Sequence, residues 1–78
     1  MIIKKYQVTL YCNDNKYKPI SCIIDYEQSQ DIDLTFDALI RKDIQTQGVK
    51  KICIKKNWTK KDLIKYNYTK CKARAYSL

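Results

Sequence analysis

The chain has 78 residues, a mass of 9.3 kDa and a formal net charge of +8 at pH 7. A chain of this length supports one hydrophobic core, so it predicts a single domain over residues 1–78. With 45% hydrophobic and 31% charged residues, one glycine and one proline, the composition excludes collagen-like and low-complexity chains. The apolar stretches are too short to cross a membrane, and the N-terminus does not resemble a secretory signal. A cytoplasmic location with reduced cysteines is therefore expected.

The positive charge is concentrated in the last third of the chain. Residues 1–49 contain six basic and seven acidic side chains, whereas residues 50–78 contain ten basic side chains and one acid, Asp62. Clustered positive charge attracts polyanions, so this asymmetry predicts a nucleic-acid or acidic protein partner. The alternative is a lysine-rich and isoleucine-rich composition typical of AT-rich genomes, in which the lysines serve only solubility.

The N-terminal third predicts two neighbouring strands. Over residues 2–12 apolar and polar side chains alternate, as in a half-buried strand with an inner row of Tyr6, Val8, Leu10 and Cys12. Residues 13–15 (Asn-Asp-Asn) tolerate left-handed backbone and predict a turn into a second strand over residues 17–27. Because Pro19 lacks an N–H group, this second strand is expected at an edge of the sheet.

A helix is predicted over residues 31–47, where apolar residues recur at three- and four-residue intervals: Ile32, Phe36, Leu39, Ile40 and Ile44. Gly48 stands where a left-handed C-terminal cap would end this helix. Residues 49–56 then predict a third strand with Ile52 and Ile54 on one face. The opposite face of that strand would carry Lys51, Cys53 and Lys55.

A second, short helix is predicted from Lys60 to Asn67. Thr59 and Asp62 have the spacing of a capping box, and Trp58 and Leu63 have that of a hydrophobic staple. A final strand follows over residues 68–76 and divides into two rows. The small row, which a helix can approach, is Thr69, Cys71, Ala73, Ala75 and Ser77. The opposite row, which is basic and aromatic, is Tyr68, Lys70, Lys72, Arg74 and Tyr76.

Together these elements predict a small two-layer α+β domain with the order β-β-α-β-α-β. Its four-stranded sheet, mixed or antiparallel, would be covered on one face by the two helices. The other face of the sheet would be open to solvent.

The open face of this sheet is the predicted binding surface. Basic side chains contact phosphates there, and aromatic rings offer flat faces on which unpaired bases stack. The predicted site residues are Lys51, Lys55, Lys60, Lys61, Tyr68, Lys70, Lys72, Arg74 and Tyr76. The alternative is an open face that lysines keep soluble and protect from edge-to-edge pairing.

Catalytic and metal chemistry have little support in the sequence. The chain has no histidine, the commonest general base, and one glycine is too few for a phosphate-cradling loop. The cysteines include no Cys-x-x-Cys pair, so no zinc site is expected, and three are predicted core residues: Cys12, Cys22 and Cys71. Cys53 would lie between two lysines, which favour a reactive thiolate. We expect no enzymatic activity, no cofactor and no bound metal.

Two function classes remain, with self-association through the open sheet face as a third. The first is a non-enzymatic module that binds the nucleic-acid backbone without reading sequence, and base stacking favours single strands. The second is an interaction protein whose basic patch binds an acidic surface of a nucleic-acid enzyme.

In its size and its lysine-rich and isoleucine-rich composition, the chain resembles accessory proteins of phages and mobile elements of AT-rich bacteria, including inhibitors of host-defence nucleases. The resemblance is one of composition and matches no family motif. It implies a protein that binds and modulates a bacterial nucleic-acid-handling enzyme. Both a monomer and a homodimer remain open.

Overall fold

The computed structural model of the protein describes residues 2–28 and 37–76. Within these ranges the elements are β1 (Ile2–Tyr11), β2 (Ile20–Gln28), α1 (Asp37–Lys56), α2 (Lys60–Lys65) and β3 (Lys70–Ala75). The strands form one antiparallel sheet with the order β2-β1-β3. The prediction of a small α+β domain is confirmed, but the described sheet has three strands and the described order is β-β-α-α-β.

The central strand, β1, has one face buried and one face open. Val8 and Leu10 are buried beneath the helices, whereas Lys5 and Gln7 on the opposite face are exposed. Side chains alternate between the two faces of a strand, so the polar–apolar alternation in the sequence divides β1 in this way. The predicted first strand is therefore confirmed.

The two edge strands flank β1 along different lengths. β2 pairs with nearly the whole of β1, from Ile2 opposite Gln28 to Leu10 opposite Ile20. It lies at an edge of the sheet, as Pro19 predicts. β3 pairs only with the second half of β1, over residues 6–11.

Helix α1 extends through the segment predicted as a third strand. Residues 49–56 continue the helix that the sequence pattern ends at Gly48, so both the strand and the glycine cap are wrong. Gly48 is buried in the middle of α1, and its backbone does not have a positive φ. A Cβ atom at this position would lie 2.4 Å from the Cβ of Val8, closer than real atoms approach. The glycine is therefore needed for close packing of α1 on β1.

The burial of two isoleucines shows that residues 49–56 have the periodicity of a helix and not that of a strand. In a strand Ile52 and Ile54 would share a face, but in α1 Ile52 is 1% exposed and Ile54 is 79% exposed. Ile44, Gly48 and Ile52 repeat every four residues and form the buried stripe of α1. Helical packing has outweighed the strand propensity of Val49, Ile52 and Ile54. The predicted helix start at residues 31–36, with Ile32 and Phe36, lies outside the described residues, as does Ser77.

The start of α2 agrees with the sequence. The Asp62 carboxylate accepts hydrogen bonds from the Thr59 backbone N–H at 2.8 Å and from the Thr59 hydroxyl at 3.2 Å. Trp58 packs against the core cluster that contains Leu63. The helix begins at Lys60 as predicted, because its first turn is held by these local contacts.

The core lies between α1 and the sheet and has two parts. One part contains Leu10, Cys12, Ile52, Leu63 and Tyr68; the other contains Val8, Ile24 and Ile44. The described cysteines are free thiols, and Cys22 and Cys71 pack against both parts. Burial raises the pKa of these two thiols above the usual range. Neither described helix combines the length and the apolar character of a membrane span.

Candidate nucleic-acid interface

The outer face of β3 carries three exposed basic side chains, Lys70, Lys72 and Arg74, which we call the basic row. Between them, Cys71 and Ala73 point to the covered face and pack against the core. The predicted division of the last strand into two rows is confirmed at these five positions. Alternate residues of a strand lie about 6.8 Å apart, similar to the distance between successive phosphates of an extended nucleic-acid strand.

No charged residue stands beside the basic row on β1. The antiparallel register places Tyr11, Thr9 and Gln7 opposite Lys70, Lys72 and Arg74 respectively. The Lys72 Nζ lies 5.8 Å from the centroid of the Tyr11 ring, within cation–π distance. The cross-strand neighbours therefore leave the positive charge of the row unneutralised.

The exposed carboxylates of the outer face lie on β2, whereas the basic row lies on the opposite edge strand, β3. Asp25 and Glu27 are exposed on β2, where they pair with Lys5 and Ile3. Those positions lie at the end of β1 that is far from Tyr11. A hollow of about 340 Å³ lies at the positive side and is lined by Gln7, Thr9, Tyr11, Pro19, Ser21, Lys72 and Arg74. We call it the outer-face hollow; its lining residues among those described offer polar and cationic groups and no carboxylate.

Four predicted site lysines lie away from this face. Lys51 and Lys55 belong to α1, which covers the opposite face of the sheet, so the prediction that they flank the last strand is wrong. The Lys51 Nζ donates a hydrogen bond to the Ile23 carbonyl of β2 at 2.6 Å, on the edge opposite β3. Lys60 and Lys61 form the first turn of α2.

The helix also separates Cys53 from its predicted neighbours. On a strand the side chains of Lys51 and Lys55 would stand on either side of this thiol. Residues two positions apart on a helix do not face each other, so this basis for a reactive thiolate is removed.

The two predicted site tyrosines have different environments. Tyr68 is 6% exposed, and its hydroxyl donates a hydrogen bond to the Lys18 carbonyl at 2.8 Å. It is a core residue, so its predicted place on the open face is wrong; burial also raises the pKa of its hydroxyl. Tyr76 is 45% exposed and follows β3, at the end of the sheet far from Tyr11. Its backbone N–H donates to the Lys5 carbonyl at 2.7 Å.

A cluster of four aromatic rings occupies the other end of β3. Tyr17, Trp58, Tyr66 and Tyr68 line a cleft of about 510 Å³, which we call the aromatic cleft. The Trp58 and Tyr66 rings are stacked, with centroids 5.3 Å apart and planes at 23°. Tyr17 and Trp58 each contact both Tyr66 and Tyr68, at centroid distances of 5.3–6.3 Å. These distances are typical of interacting aromatic pairs, so the rings form one continuous apolar surface.

Two identical helix endings place Trp58 and Tyr68 in this cleft. Asn57 and Asn67 follow α1 and α2 with φ angles of 56° and 63°, in the left-handed region. The next residue in each case, Trp58 or Tyr68, donates its N–H to a carbonyl in the last helical turn at 2.8 Å. This is the Schellman arrangement, in which the residue after the left-handed position packs back on its own helix. Both rings are therefore directed toward the core.

The loop at residues 12–19 brings Tyr17 to the same place. The Asn13 N–H donates to the Asn67 carbonyl at 2.6 Å, which ties the loop to the end of α2. The Asp14 carboxylate accepts hydrogen bonds from the Cys12 thiol at 2.7 Å, the Lys16 N–H at 3.0 Å and the Asn67 side-chain amide at 3.3 Å. These bonds, that of Cys12 above all, hold the pKa of Asp14 below its usual value.

Lysines surround the aromatic cleft. The Lys16 Nζ lies 5.6 Å from the Tyr17 ring centroid, and the Lys65 Nζ lies 5.6 Å from that of Tyr66. Lys18 and Lys56 also line the cleft, together with Pro19 and Ile20, and within the part of the chain that the structure describes no carboxylate does so. The cleft therefore combines flat apolar faces with positive charge.

The aromatic cleft was not predicted, although the sequence contains a pattern for it. The residues Asn-aromatic-Thr-Lys occur twice, at 57–60 and at 67–70. An asparagine that tolerates left-handed backbone, placed after a helical segment, predicts where the aromatic residue turns inward. Trp58 was predicted only as a staple residue, and neither Tyr17 nor Tyr66 was assigned a role.

A second, more apolar groove of about 570 Å³ lies between α1 and β3. It is lined by Lys42, Gln45, Thr46, Val49, Lys50, Cys53, Trp58, Lys60 and Cys71. Val49, Cys53, Trp58 and Cys71 are its partly buried apolar residues, while the three lysines are exposed. No carboxylate among residues 2–28 and 37–76 lines this groove, which we call the α1–β3 groove.

Across residues 2–28 and 37–76, no three cysteine or carboxylate side chains are grouped as metal ligands would be. Comparison of the chain with protein-family models, curated proteins and solved structures finds no match. A functional assignment therefore depends on the chemistry of the chain's own residues.

Proposed function

We propose that the protein is a small, non-enzymatic module that binds the sugar-phosphate backbone of nucleic acid without reading its sequence. The observation that supports this proposal is the basic row: three exposed cations at alternate positions of an edge strand, with uncharged neighbours on β1. Lysine and arginine neutralise phosphates and release condensed counterions, which drives sequence-independent binding. Phosphate contacts fix the position of a protein on nucleic acid but carry no base information.

The net charge of the protein also supports this proposal, because it acts on a polyanion before contact. A charge of +8 on 78 residues attracts a polyanion before contact and raises the association rate. The separation of Asp25 and Glu27 from β3 then makes one side of the outer face the more favourable place for phosphate.

The test is the salt dependence of binding to a labelled single strand of mixed sequence, measured by fluorescence anisotropy. Contacts with about three phosphates give a slope of about −2 for log affinity against log salt on single strands. Affinity should therefore fall by about 20-fold between about 50 and about 200 mM salt. An affinity that does not change with salt would contradict binding through the phosphates.

Two double variants with equal charge loss locate the contacts. Lys70→Ala with Lys72→Ala should weaken binding and lower the magnitude of the salt slope by about 1.4. Lys51→Ala with Lys55→Ala removes the same charge from α1 and should leave the slope unchanged. Equal losses in both double variants would show that the whole protein charge, and not the basic row, holds the nucleic acid.

The α1–β3 groove supports a second candidate function, the binding of an acidic, amphipathic segment of a partner protein. Its partly buried apolar residues suit the apolar side of such a segment, and Lys42, Lys50 and Lys60 suit its carboxylates. The compositional resemblance to accessory proteins of phages and mobile elements makes a nucleic-acid-handling enzyme the expected partner.

This second candidate is tested by purification from a bacterial lysate treated with nuclease. A partner bound through the groove is captured by the wild type, lost with Lys50→Glu and retained with Lys55→Glu, which lies on the same helix outside the groove. A partner lost equally with both variants would contradict docking in the groove.

A further inference from the structure

The aromatic cleft has the features of a binding site for a planar anion. Flat ring faces favour stacking with another ring, and the partly exposed Tyr17, at 43%, makes part of this surface accessible. Aromatic clusters also bind organic cations, but here Lys16, Lys18, Lys56 and Lys65 surround the rings, and none of the described carboxylates lines the cleft. The positive surroundings oppose a cation and attract an anion. A nucleotide, with its flat base and its phosphate, combines both required properties.

The size of the cleft agrees with this ligand class. Its volume of about 510 Å³ lies within the range of about 300–1,000 Å³ found for small-molecule sites. Stacking on aromatic side chains tolerates any base, because every base has a flat π-face. The cleft therefore suits a base without selecting one of the four.

The cleft and the outer-face hollow both border Pro19. A third hollow, of about 290 Å³, shares Tyr11 and Pro19 with the outer-face hollow and shares Tyr17, Lys18 and Pro19 with the cleft. Lys16 and Asn15 line it as well. A path of adjoining depressions thus leads from the basic row, past Tyr11, into the aromatic cleft.

The pairing of β3 with β1 shows which end of the basic row lies nearer to the cleft. Arg74, Lys72 and Lys70 lie opposite Gln7, Thr9 and Tyr11, so the basic row approaches the cleft as β3 is followed back toward its first residue. Tyr68, which lines the cleft, comes two residues before Lys70. Phosphates bound along the row would consequently bring the next nucleotide to the rings.

We infer that the protein binds a single strand, whose phosphates lie along the basic row and whose next unpaired base stacks in the aromatic cleft. This inference rests on the proposed function and adds the form of nucleic acid that is bound. A duplex does not supply a base to the cleft unless a base pair opens, which costs a few kcal/mol. Phosphate contacts alone would hold a duplex, so it binds more weakly than a single strand of equal charge.

Trp58 provides a direct probe because it is the sole tryptophan and lines the cleft. The experiment titrates the wild-type protein with three unlabelled nucleic acids at low salt. They are an oligothymidylate of about eight nucleotides, an oligonucleotide of the same length with abasic sugars, and a short blunt-ended duplex. The first two have the same number of phosphates and differ only in their bases. Oligothymidylate should quench Trp58 fluorescence and bind about tenfold more tightly than the abasic strand and the duplex.

Three substitutions of exposed tyrosines identify the stacking surface. Tyr17→Ala should remove the preference for oligothymidylate over the abasic strand, whereas Tyr17→Phe, which keeps the ring, should retain it. Tyr76→Ala is the matched control, since Tyr76 is exposed to the same degree but lies at the far end of the sheet. It should leave the preference unchanged. Circular dichroism confirms that each variant is folded before its binding is compared.

The outcomes separate this inference from the proposed function. Equal affinity for oligothymidylate and the abasic strand, with unchanged Trp58 fluorescence, would overturn base binding in the cleft while backbone binding remained. Failure to bind any of the three nucleic acids at low salt would overturn both. Loss of the preference in Tyr76→Ala but not in Tyr17→Ala would also overturn the inference, because it would place the base away from the cleft.

Discussion

The two faces of β1 have different roles: substitutions on the covered face are expected to change stability, and those on the outer face to change binding. On the covered face, Val8 is 0% exposed and fits against Gly48 with no space for one more carbon atom. On the outer face, Thr9 and Tyr11 lie beside the basic row, where charge and not packing is the dominant feature. The alternation of side chains along one strand therefore separates the residues that hold the fold from those that meet a ligand. A small protein can in this way carry a binding surface without weakening its core.

The sharpest test of the covered face compares two isoleucines of α1. Ile52→Ala should lower the free energy of unfolding by about 3 kcal/mol, because it removes a buried side chain and leaves a cavity. Ile54→Ala should change it by less than about 0.5 kcal/mol, because Ile54 is exposed. Urea unfolding followed by circular dichroism measures both. Similar losses at the two positions would contradict the helix and favour a strand with both side chains on one face.

A smaller loss is expected from Gly48→Ala. The added methyl group would overlap with Val8, whose Cβ cannot move without moving β1, so α1 must shift away from the sheet. Overpacking costs about 1–3 kcal/mol, and the better helix propensity of alanine returns about 1 kcal/mol. We expect a net loss of up to about 2 kcal/mol in the free energy of unfolding.

Thr46→Ala is the control for this substitution, because Thr46 lies on the exposed side of the same helix. It should leave stability within about 0.5 kcal/mol of the wild type. If Gly48→Ala were instead more stable than the wild type, the close approach of α1 to β1 would be wrong.

Substitutions on the outer face should have almost no effect on the stability of the fold. Lys70→Ala with Lys72→Ala removes two exposed side chains that do not contribute to the core, so the free energy of unfolding should change by less than about 0.5 kcal/mol. The same double variant should weaken binding to a single strand. A loss of stability as large as that of Ile52→Ala would show that folding and binding are not separated between the two faces of the sheet.

The smallest effect concerns the loop that carries Tyr17. The pKa of Asp14 is held below its usual value, chiefly by the hydrogen bond from the Cys12 thiol. A lowered pKa in the folded state means that the carboxylate stabilises the fold above the unfolded pKa and loses this effect as the pH falls through the folded pKa. The wild type should therefore lose slightly more stability than Asp14→Asn on acidification below about pH 4. Urea midpoints measured from neutral to acidic pH provide the test, and identical pH profiles would contradict it.

The sequence predicted the local elements better than their extent. The alternation in β1, Pro19 at the edge of the sheet and the Thr59–Asp62 contact each depend on near neighbours, and each is confirmed. The prediction of a strand over residues 49–56 was wrong because a glycine such as Gly48 can have either of two roles. It can end a helix, or it can let a helix approach a sheet closely. Only the position of Val8 across the core decides between them.

The candidate site was predicted only in part, because sequence patterns report near neighbours and not distant contacts. The basic row follows from alternation within one strand, so Lys70, Lys72 and Arg74 were correctly assigned to a single exposed face. Lys51 and Lys55 were placed beside them only through the wrong strand. The aromatic cleft joins Tyr17 to rings about 40–50 residues later in the sequence, and no local pattern shows such a contact.

The most direct test of the account is a two-dimensional ¹H–¹⁵N NMR titration of the wild-type protein with oligothymidylate, since it observes the whole described surface at once. If a single strand lies along the basic row and its base enters the aromatic cleft, shifts should change at Lys70, Lys72, Arg74 and Tyr11, at residues 16–18 and at the indole N–H of Trp58, with little change at Lys51 and Lys55. Changes spread evenly over the lysines of α1 and of the sheet, or confined to α1, would contradict it.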